Sequence, residues 1–232
     1  HSLGASYQGR PVGSLARLST LSFHPVKPIT TAEGGAIVTD DEALASKMRV
    51  LRNHGITTDF RQRELRGTHD YDMTMLGHNF RLSDLQCALG RNQLAKLPSF
   101  IEARQKIAEG YDRALQGFRY LRPLKRRDDC AHAYHLYVVR LDLADSGLTR
   151  EQIYQQLRDE HIGVAVHYKP VYLHSYYREK LGYGAGLCPT AEAAYATILS
   201  FPIYPSMSEA DQLDVLAAFE RVEERIERGS VG

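Results

Sequence analysis

The sequence has 232 residues, 43% of them hydrophobic and 25% charged, with a formal net charge of +1. That is enough chain for one large or two modest domains with a proper core, and too little net charge to gather nucleic acid or an anionic membrane through a global field. Cys87, Cys130 and Cys188 have no metal-like spacing, and neither a signal peptide nor an apolar run long enough to span a bilayer is present, so a cytoplasmic protein with no membrane partner is expected.

The first residues, from His1 through Gly13, carry no initiator Met and read like the middle of a domain. A strand-like run over 17–23 ends in a stiff loop where Lys27 stands between Pro25 and Pro28, and the pair Gly34-Gly35 launches a second strand over 36–39. A lysine there is either a solvated loop side chain or an amine dry enough to lose its proton and attack an aldehyde. The nearby hydroxyl of Ser22 can serve a phosphate. Asp40 or Asp41 can cap a helix whose Leu44, Met48 and Leu51 share one face, predicted to point into a core, with Gly55 closing it. Residues 57–72 are charged and aperiodic, which predicts an exposed loop or hairpin.

In Leu76-Gly-His-Asn79-Phe-Arg81-Leu-Ser83-Asp-Leu-Gln86, the pair Ser83 and Gln86 forms a capping-box pattern for a helix through Leu85, Leu89 and Leu94. Asn79 and Arg81 therefore lie just before a helix N-terminus, where they either shape a turn or meet a phosphate. The helical pattern resumes after Pro98 through Ile101, Ile107, Tyr111 and Leu115, so a break or bend is expected at Pro98 and a domain boundary near Gly117.

Beyond that, the basic cluster at 122–127 is followed by Asp128-Asp129 and reads as a solvated turn, not a nucleic-acid surface. A strand is predicted at 133–141, a helix at 149–161 with the capping pair Thr149 and Gln152, and a short strand at 164–166. Cys130, His132 and His135 read as strand-edge residues, not zinc ligands, because alternate strand residues face opposite ways and no fourth ligand is near. Val166-His167-Tyr168-Lys169-Pro170 reads by itself as a rigid surface turn entering a Tyr-rich loop at 172–177. Pro189 and Thr190 begin a helix expected to run through Ile198, and Phe201-Pro-Ile-Tyr-Pro looks like a stiff linker. Ser208 caps a last helix with Leu213, Leu216, Phe219, Val222 and Ile226 as its core stripe.

The segment Ser22-Phe-His-Pro-Val-Lys27-Pro-Ile-Thr-Thr-Ala-Glu33-Gly-Gly resembles the cofactor-lysine segment of the DegT/DnrJ/EryC1/StrS sugar-nucleotide aminotransferases, a pyridoxal-phosphate family of the aspartate-aminotransferase fold type. Its His-Pro-Val-Lys-Pro-Ile-Thr is most like the branch that serves pseudaminic acid synthesis. Gly-His-Asn-Phe-Arg-Leu-Ser-Asp-Leu-Gln, Val-His-Tyr-Lys-Pro, Pro-Thr-Ala-Glu and Leu-Ser-Phe-Pro-Ile-Tyr-Pro resemble further family segments, so the match covers essentially the whole chain.

The resemblance implies an α/β chain forming the C-terminal part of the type I pyridoxal-phosphate transferase fold, and hence part of a longer enzyme. Residues 1–117 would end the large cofactor-binding domain and 118–232 would form the small α/β domain. It implies that Lys27 is catalytic and bonds pyridoxal 5'-phosphate, that Ser22 holds the phosphate, and that His1 contacts the ring's O3′. It also implies a homodimer in which Asn79 reaches the partner's cofactor phosphate and Arg81 lies against the partner's substrate. Val166, His167, Tyr168 and Lys169 would line the sugar-nucleotide pocket. The implied substrates are glutamate and a UDP-linked 4-keto-6-deoxy sugar destined for a surface glycan, with no metal. Related sugar dehydratases carry His at the position of Lys27, so the lysine favours amino transfer; a non-catalytic binding module of the same fold is the other reading.

Overall fold

The structure is a computed structural model that describes residues 1–144 and 146–229. In chain order its elements are β1 (Ser6–Tyr7), β2 (Arg10–Pro11), β3 (Ser19–Ser22), β4 (Gly35–Val38), α1 (Glu42–Leu51), α2 (Phe60–Arg66), α3 (Asp84–Ala114), β5 (Leu121–Pro123), β6 (Cys130–Ala131), β7 (Tyr137–Leu141), α4 (Arg150–Asp159), α5 (Ser175–Leu181), α6 (Pro189–Thr197), β8 (Ile198–Phe201) and α7 (Glu209–Gly229). They fall into two compact units: His1–Ser99 with Asp129–Ala133, and Phe100–Asp128 with the described residues from Tyr134 onward.

The first unit holds a small antiparallel sheet in the order β2-β1-β6 and a separate hairpin of β3 and β4, registered so that Ser22 lies opposite Gly35. Only glycine fits at 35, since a Cβ would stand 2.7 Å from the Leu21 carbonyl oxygen. Helix α1 starts where predicted, the Asp41 carboxylate accepting from the Leu44 N–H at 3.0 Å. None of its residues is buried among the described residues: apolar spacing on one face does not by itself supply an element to cover it. Gly55 does not cap it either, the cap being Arg52; instead Gly55 takes a left-handed φ of 74° where a Cβ would fall 1.7 Å from the Met75 carbonyl oxygen. The stretch at 57–72 contains helix α2, held by an Asp59/Gln62 capping box and a left-handed Gly67, two local signals that outweigh its lack of apolar periodicity.

Helix α3 begins at the predicted capping box, with Ser83 N–H donating to Gln86 Oε1 at 2.9 Å. It is not broken at Pro98. Both Pro98 and Leu94, whose carbonyl loses its donor, are exposed, so water can take the freed oxygen.

The second unit is organised around an antiparallel sheet in the order β5-β7-β8. Leu121, Val139, Leu141, Leu199 and Phe201 are buried on it with Ile153 and Leu157 of α4 and Phe219, Val222 and Ile226 of α7. Tyr111 packs on Tyr137 with the rings tilted by 30° and 4.8 Å between their centres, and it donates to the Pro202 carbonyl at 3.0 Å, which satisfies its hydroxyl inside the core. The buried Arg104 guanidinium is spent on the backbone, donating to the carbonyls of Tyr134, His135 and Ile203.

Three local expectations change here. Ile198–Phe201 is a strand paired with β7, not the end of a helix and the start of a linker, because its apolar residues are buried on the sheet. The strand at 164–166 is reduced to one bridge between Ala165 and Ser200. Leu213 leaves the α7 stripe at 63% exposure; Val215 and Ala218 are buried instead.

Candidate active site

Lys27 is half-buried on the loop that joins β3 to β4. The loop is fixed by its own hydrogen bonds. Phe23 N–H donates to the Gly34 carbonyl at 2.9 Å, Thr31 N–H and the Thr30 hydroxyl both donate to the Phe23 carbonyl, and the buried Thr31 hydroxyl donates to the Glu33 carbonyl at 2.8 Å. Gly34 makes that packing possible, because a Cβ there would lie 2.3 Å from Thr31 Oγ1. Inside the loop a tight turn brings Lys27 N–H to the His24 carbonyl at 2.9 Å, while His24 N–H donates to Ser22 Oγ at 3.4 Å. Ser22 is exposed and uses its oxygen as the acceptor in that bond, which leaves the hydroxyl hydrogen for an anion.

His1 lies within electrostatic reach of this lysine. An amine, a hydroxyl with its proton unspent and an imidazole-bearing residue thus belong to one neighbourhood, a set that fits an aldehyde cofactor with an anionic arm.

Asn79 and Arg81 belong to a second group in the same unit. A backbone ladder ties them to the end of α1: His54 N–H donates to the His78 carbonyl at 2.8 Å and Phe80 N–H to the Arg52 carbonyl at 2.9 Å. Arg81 donates to Asn53 Oδ1 at 2.7 Å, and the rings of His78 and Phe80 stack at 4.5 Å. Both Asn79 and Arg81 are exposed; Asn79 is bridged to Asn53, and the Arg81 guanidinium donates to that same residue.

In the other unit, Val166 packs against the core, His167 is half-buried, and Tyr168 and Lys169 are exposed. The His167 and Tyr168 rings meet edge-on at 4.7 Å, and His167 Nδ1 lies 2.8 Å from Ser200 Oγ.

Several supporting contacts escaped the sequence reading. Gln86 donates from Nε2 to the Glu33 carbonyl at 2.9 Å and so ties the start of α3 to the lysine loop. Asn53 orients Arg81, and Ser200 meets His167. The visible signal for Ser200 was a hydroxyl inside an otherwise apolar run, Ile198-Leu-Ser-Phe.

Residues 1–220 match the DegT/DnrJ/EryC1/StrS aminotransferase family. The chain belongs to it. A member from Campylobacter jejuni, the UDP-4-amino-4,6-dideoxy-N-acetyl-beta-L-altrosamine transaminase of strain 81-176, is 39% identical over all of this chain and 59% of its own length. Among solved structures, Helicobacter pylori PseC, an aminotransferase involved in the biosynthesis of pseudoaminic acid, superposes with a TM-score of 0.86 at 33% identity, covering 97% of this chain and 58% of that one. Spr1654 of Streptococcus pneumoniae, solved in its PLP-form, gives 0.86 at 30% identity over 97% and 56%. The chain therefore has the expected α/β aminotransferase fold, and it spans a little under three-fifths of the relatives it matches.

Proposed function

We propose that this family member is a pyridoxal-phosphate-dependent aminotransferase that moves an amino group from an amino acid, glutamate, to C4 of a UDP-linked 4-keto-6-deoxy sugar for a surface glycan. The observation that carries the reading is Lys27, half-buried on a hydrogen-bonded loop with Ser22 and His1 in its neighbourhood. Named relatives supply the sugar-nucleotide part.

When bound, pyridoxal phosphate supplies an electron sink next to the reacting carbon. Lys27 would hold it through the aldehyde carbon, Ser22 would donate its hydroxyl hydrogen to the phosphate, and His1 would lie against the ring. The freed Lys27 amine takes the proton from Cα of the donor and, in the second half-reaction, delivers one to C4 of the sugar. The loop's internal bonds keep that amine in place through both halves. Asn79 and Arg81 serve the site of a second subunit, and Val166, His167, Tyr168 and Lys169 meet the sugar nucleotide. The exposed apolar residues near Asn79, including Leu76, Phe80, Leu85 and Leu89, support such a homodimer. We also place residues 1–117 in the large domain, the remainder in the small one, and the enzyme in the cytoplasm; among the described residues no helix is long and apolar enough to cross a membrane.

The test is optical. Adding pyridoxal phosphate to the full-length protein produces a visible absorbance band, borohydride fixes the cofactor mass on the peptide containing Lys27, and Lys27→Ala abolishes both. A band and label that survive in Lys27→Ala would overturn the assignment.

A further inference from the structure

Glu192 closes the run Pro189-Thr-Ala-Glu at the start of α6, and its carboxylate gathers a stretch of chain that has no core of its own. From Val171 to Cys188 no residue is buried, so hydrogen bonds must do much of the holding there. The Tyr172 hydroxyl donates to Glu192 Oε1 at 2.8 Å, and the Gly186 N–H donates to Oε1 at 2.8 Å and to Oε2 at 3.0 Å. One carboxylate thus grips the stretch near both of its ends.

The Tyr172 hydroxyl has one hydrogen to give, and the carboxylate oxygen at 2.8 Å is a stronger acceptor than the Cys188 carbonyl at 3.2 Å. That bond first, against a burial cost, and then the N–H groups of Gly186 and Cys188 hold the Glu192 carboxyl below its ordinary range, so it is ionised at neutral pH. Tyr172 lies in a single turn of 3-10 helix, Val171–Leu173, whose Leu173 N–H donates to the Pro170 carbonyl at 2.9 Å. The residue before Pro170 is Lys169, which is exposed, and the proline ring restricts the backbone on both sides of the bond between them. Pinning Tyr172 therefore pins the backbone from which Lys169 extends.

We infer that Glu192 is a positioning residue: its carboxylate latches the stretch after Pro170 to α6 and so fixes where Lys169 meets the diphosphate of the sugar nucleotide. The inference rests on the reading that Lys169 belongs to that pocket. A latch and a direct electrostatic role differ in sign. A carboxylate near an anionic ligand repels it, so loss of the charge by itself tightens binding. Loss of a latch weakens binding, because only the molecules with the stretch in place bind fully.

The experiment uses the full-length protein, with UDP-N-acetylglucosamine as the probe, Kd read by calorimetry and the stretch followed by amide exchange. Glu192→Ala should speed exchange at Gly186, Leu173 and His174 while Tyr137–Leu141 keep their protection, and should raise Kd about fivefold, as when the stretch is in place about a fifth of the time. Tyr172→Phe, which removes one donor to the latch and keeps the ring, should raise Kd about twofold. Lys169→Met should raise it about tenfold, and Glu192→Ala added to that variant should cost less than about twofold more, since the two act through one contact. Binding that is tighter or unchanged in Glu192→Ala, or a full fivefold loss that persists beside Lys169→Met, would overturn the role of Glu192. If exchange responds as expected but Lys169→Met leaves Kd unmoved, or the wild type does not bind the probe, the placing of Lys169 in the sugar-nucleotide pocket falls and this role with it, and only the latch itself stands.

Discussion

The unit that begins at Phe100 surrounds a sheet with dry apolar side chains from four directions of the chain, whereas the unit that carries Lys27 buries little beyond Pro28, Ile29, Thr31, Gly55, Leu97 and Ala133. Its order comes from another source: caps, turn bonds and glycines that let two backbones touch. Large side chains that a core would swallow, such as Leu85 at 85% exposure, lie on its surface. The difference teaches where rigidity can come from. A few tightly specified polar contacts hold the reactive loop in shape, and in these 232 residues the large apolar side chains of the same unit lie uncovered.

The comparison breaks most visibly at the core. Phe219 touches Phe118 and Phe201 at ring distances of 5.5 and 6.3 Å, and Phe219→Ala should lose about 3–5 kcal/mol through transfer and cavity costs. Leu85→Ala should change the stability of the chain by no more than about 0.5 kcal/mol. Denaturant titration of both variants checks the contrast; equal losses would mean that the first unit has a core after all. A smaller effect is expected where backbone meets backbone. A Cβ on Gly77 would stand 2.1 Å from the Gly55 nitrogen, so Gly77→Ala must push the ladder apart at a cost of roughly 3 kcal/mol. Amide exchange should report it as lost protection at His54, His78 and Phe80, with the protection of β7 and β8 kept.

What could be read from the chain follows the same division. Helix caps are written in four consecutive residues, so Asp41, Ser83, Thr149 and Ser208 all begin helices where the sequence placed them. The fold class was legible for another reason: long motifs repeat a family's solution almost in full, and the family match and structural likeness bear it out. Local periodicity failed where burial was decided elsewhere. Leu44, Met48 and Leu51 have the spacing of a buried stripe, yet spacing cannot say whether a covering element exists. Ile198–Phe201 continues an Ala-rich helix in pattern but is claimed by β7 in space. The supporting contacts from Gln86, Asn53 and Ser200 link residues 28 to 53 positions apart, a separation at which no short motif carries information.

The smallest expected effect separates the units by the origin of their acid sensitivity. In the first, the N–H of Leu44 and, next, the guanidinium of Arg17 hold the Asp41 carboxyl below its usual range. In the second, hydrogen bonds from Arg225 and then Arg221 of α7 do the same for Glu160 at the end of α4. Both folded values lie below the unfolded ones, so both groups stabilise fully above the ordinary values of 3.8 and 4.5, and the contribution is lost as pH falls through the lower folded values. Acid should therefore fray α1 and loosen the packing of α4 on α7. Salt distinguishes them, because two exposed guanidinium partners are screened whereas a short bond from a backbone N–H is not. Raising ionic strength should flatten the acid response that Glu160→Gln removes and leave most of the response that Asp41→Asn removes, as followed by helix-resolved amide exchange. Equal screening at both would mean that the first unit's cap depends on Arg17 more than on the backbone, and that its order is electrostatic where we have described it as local geometry.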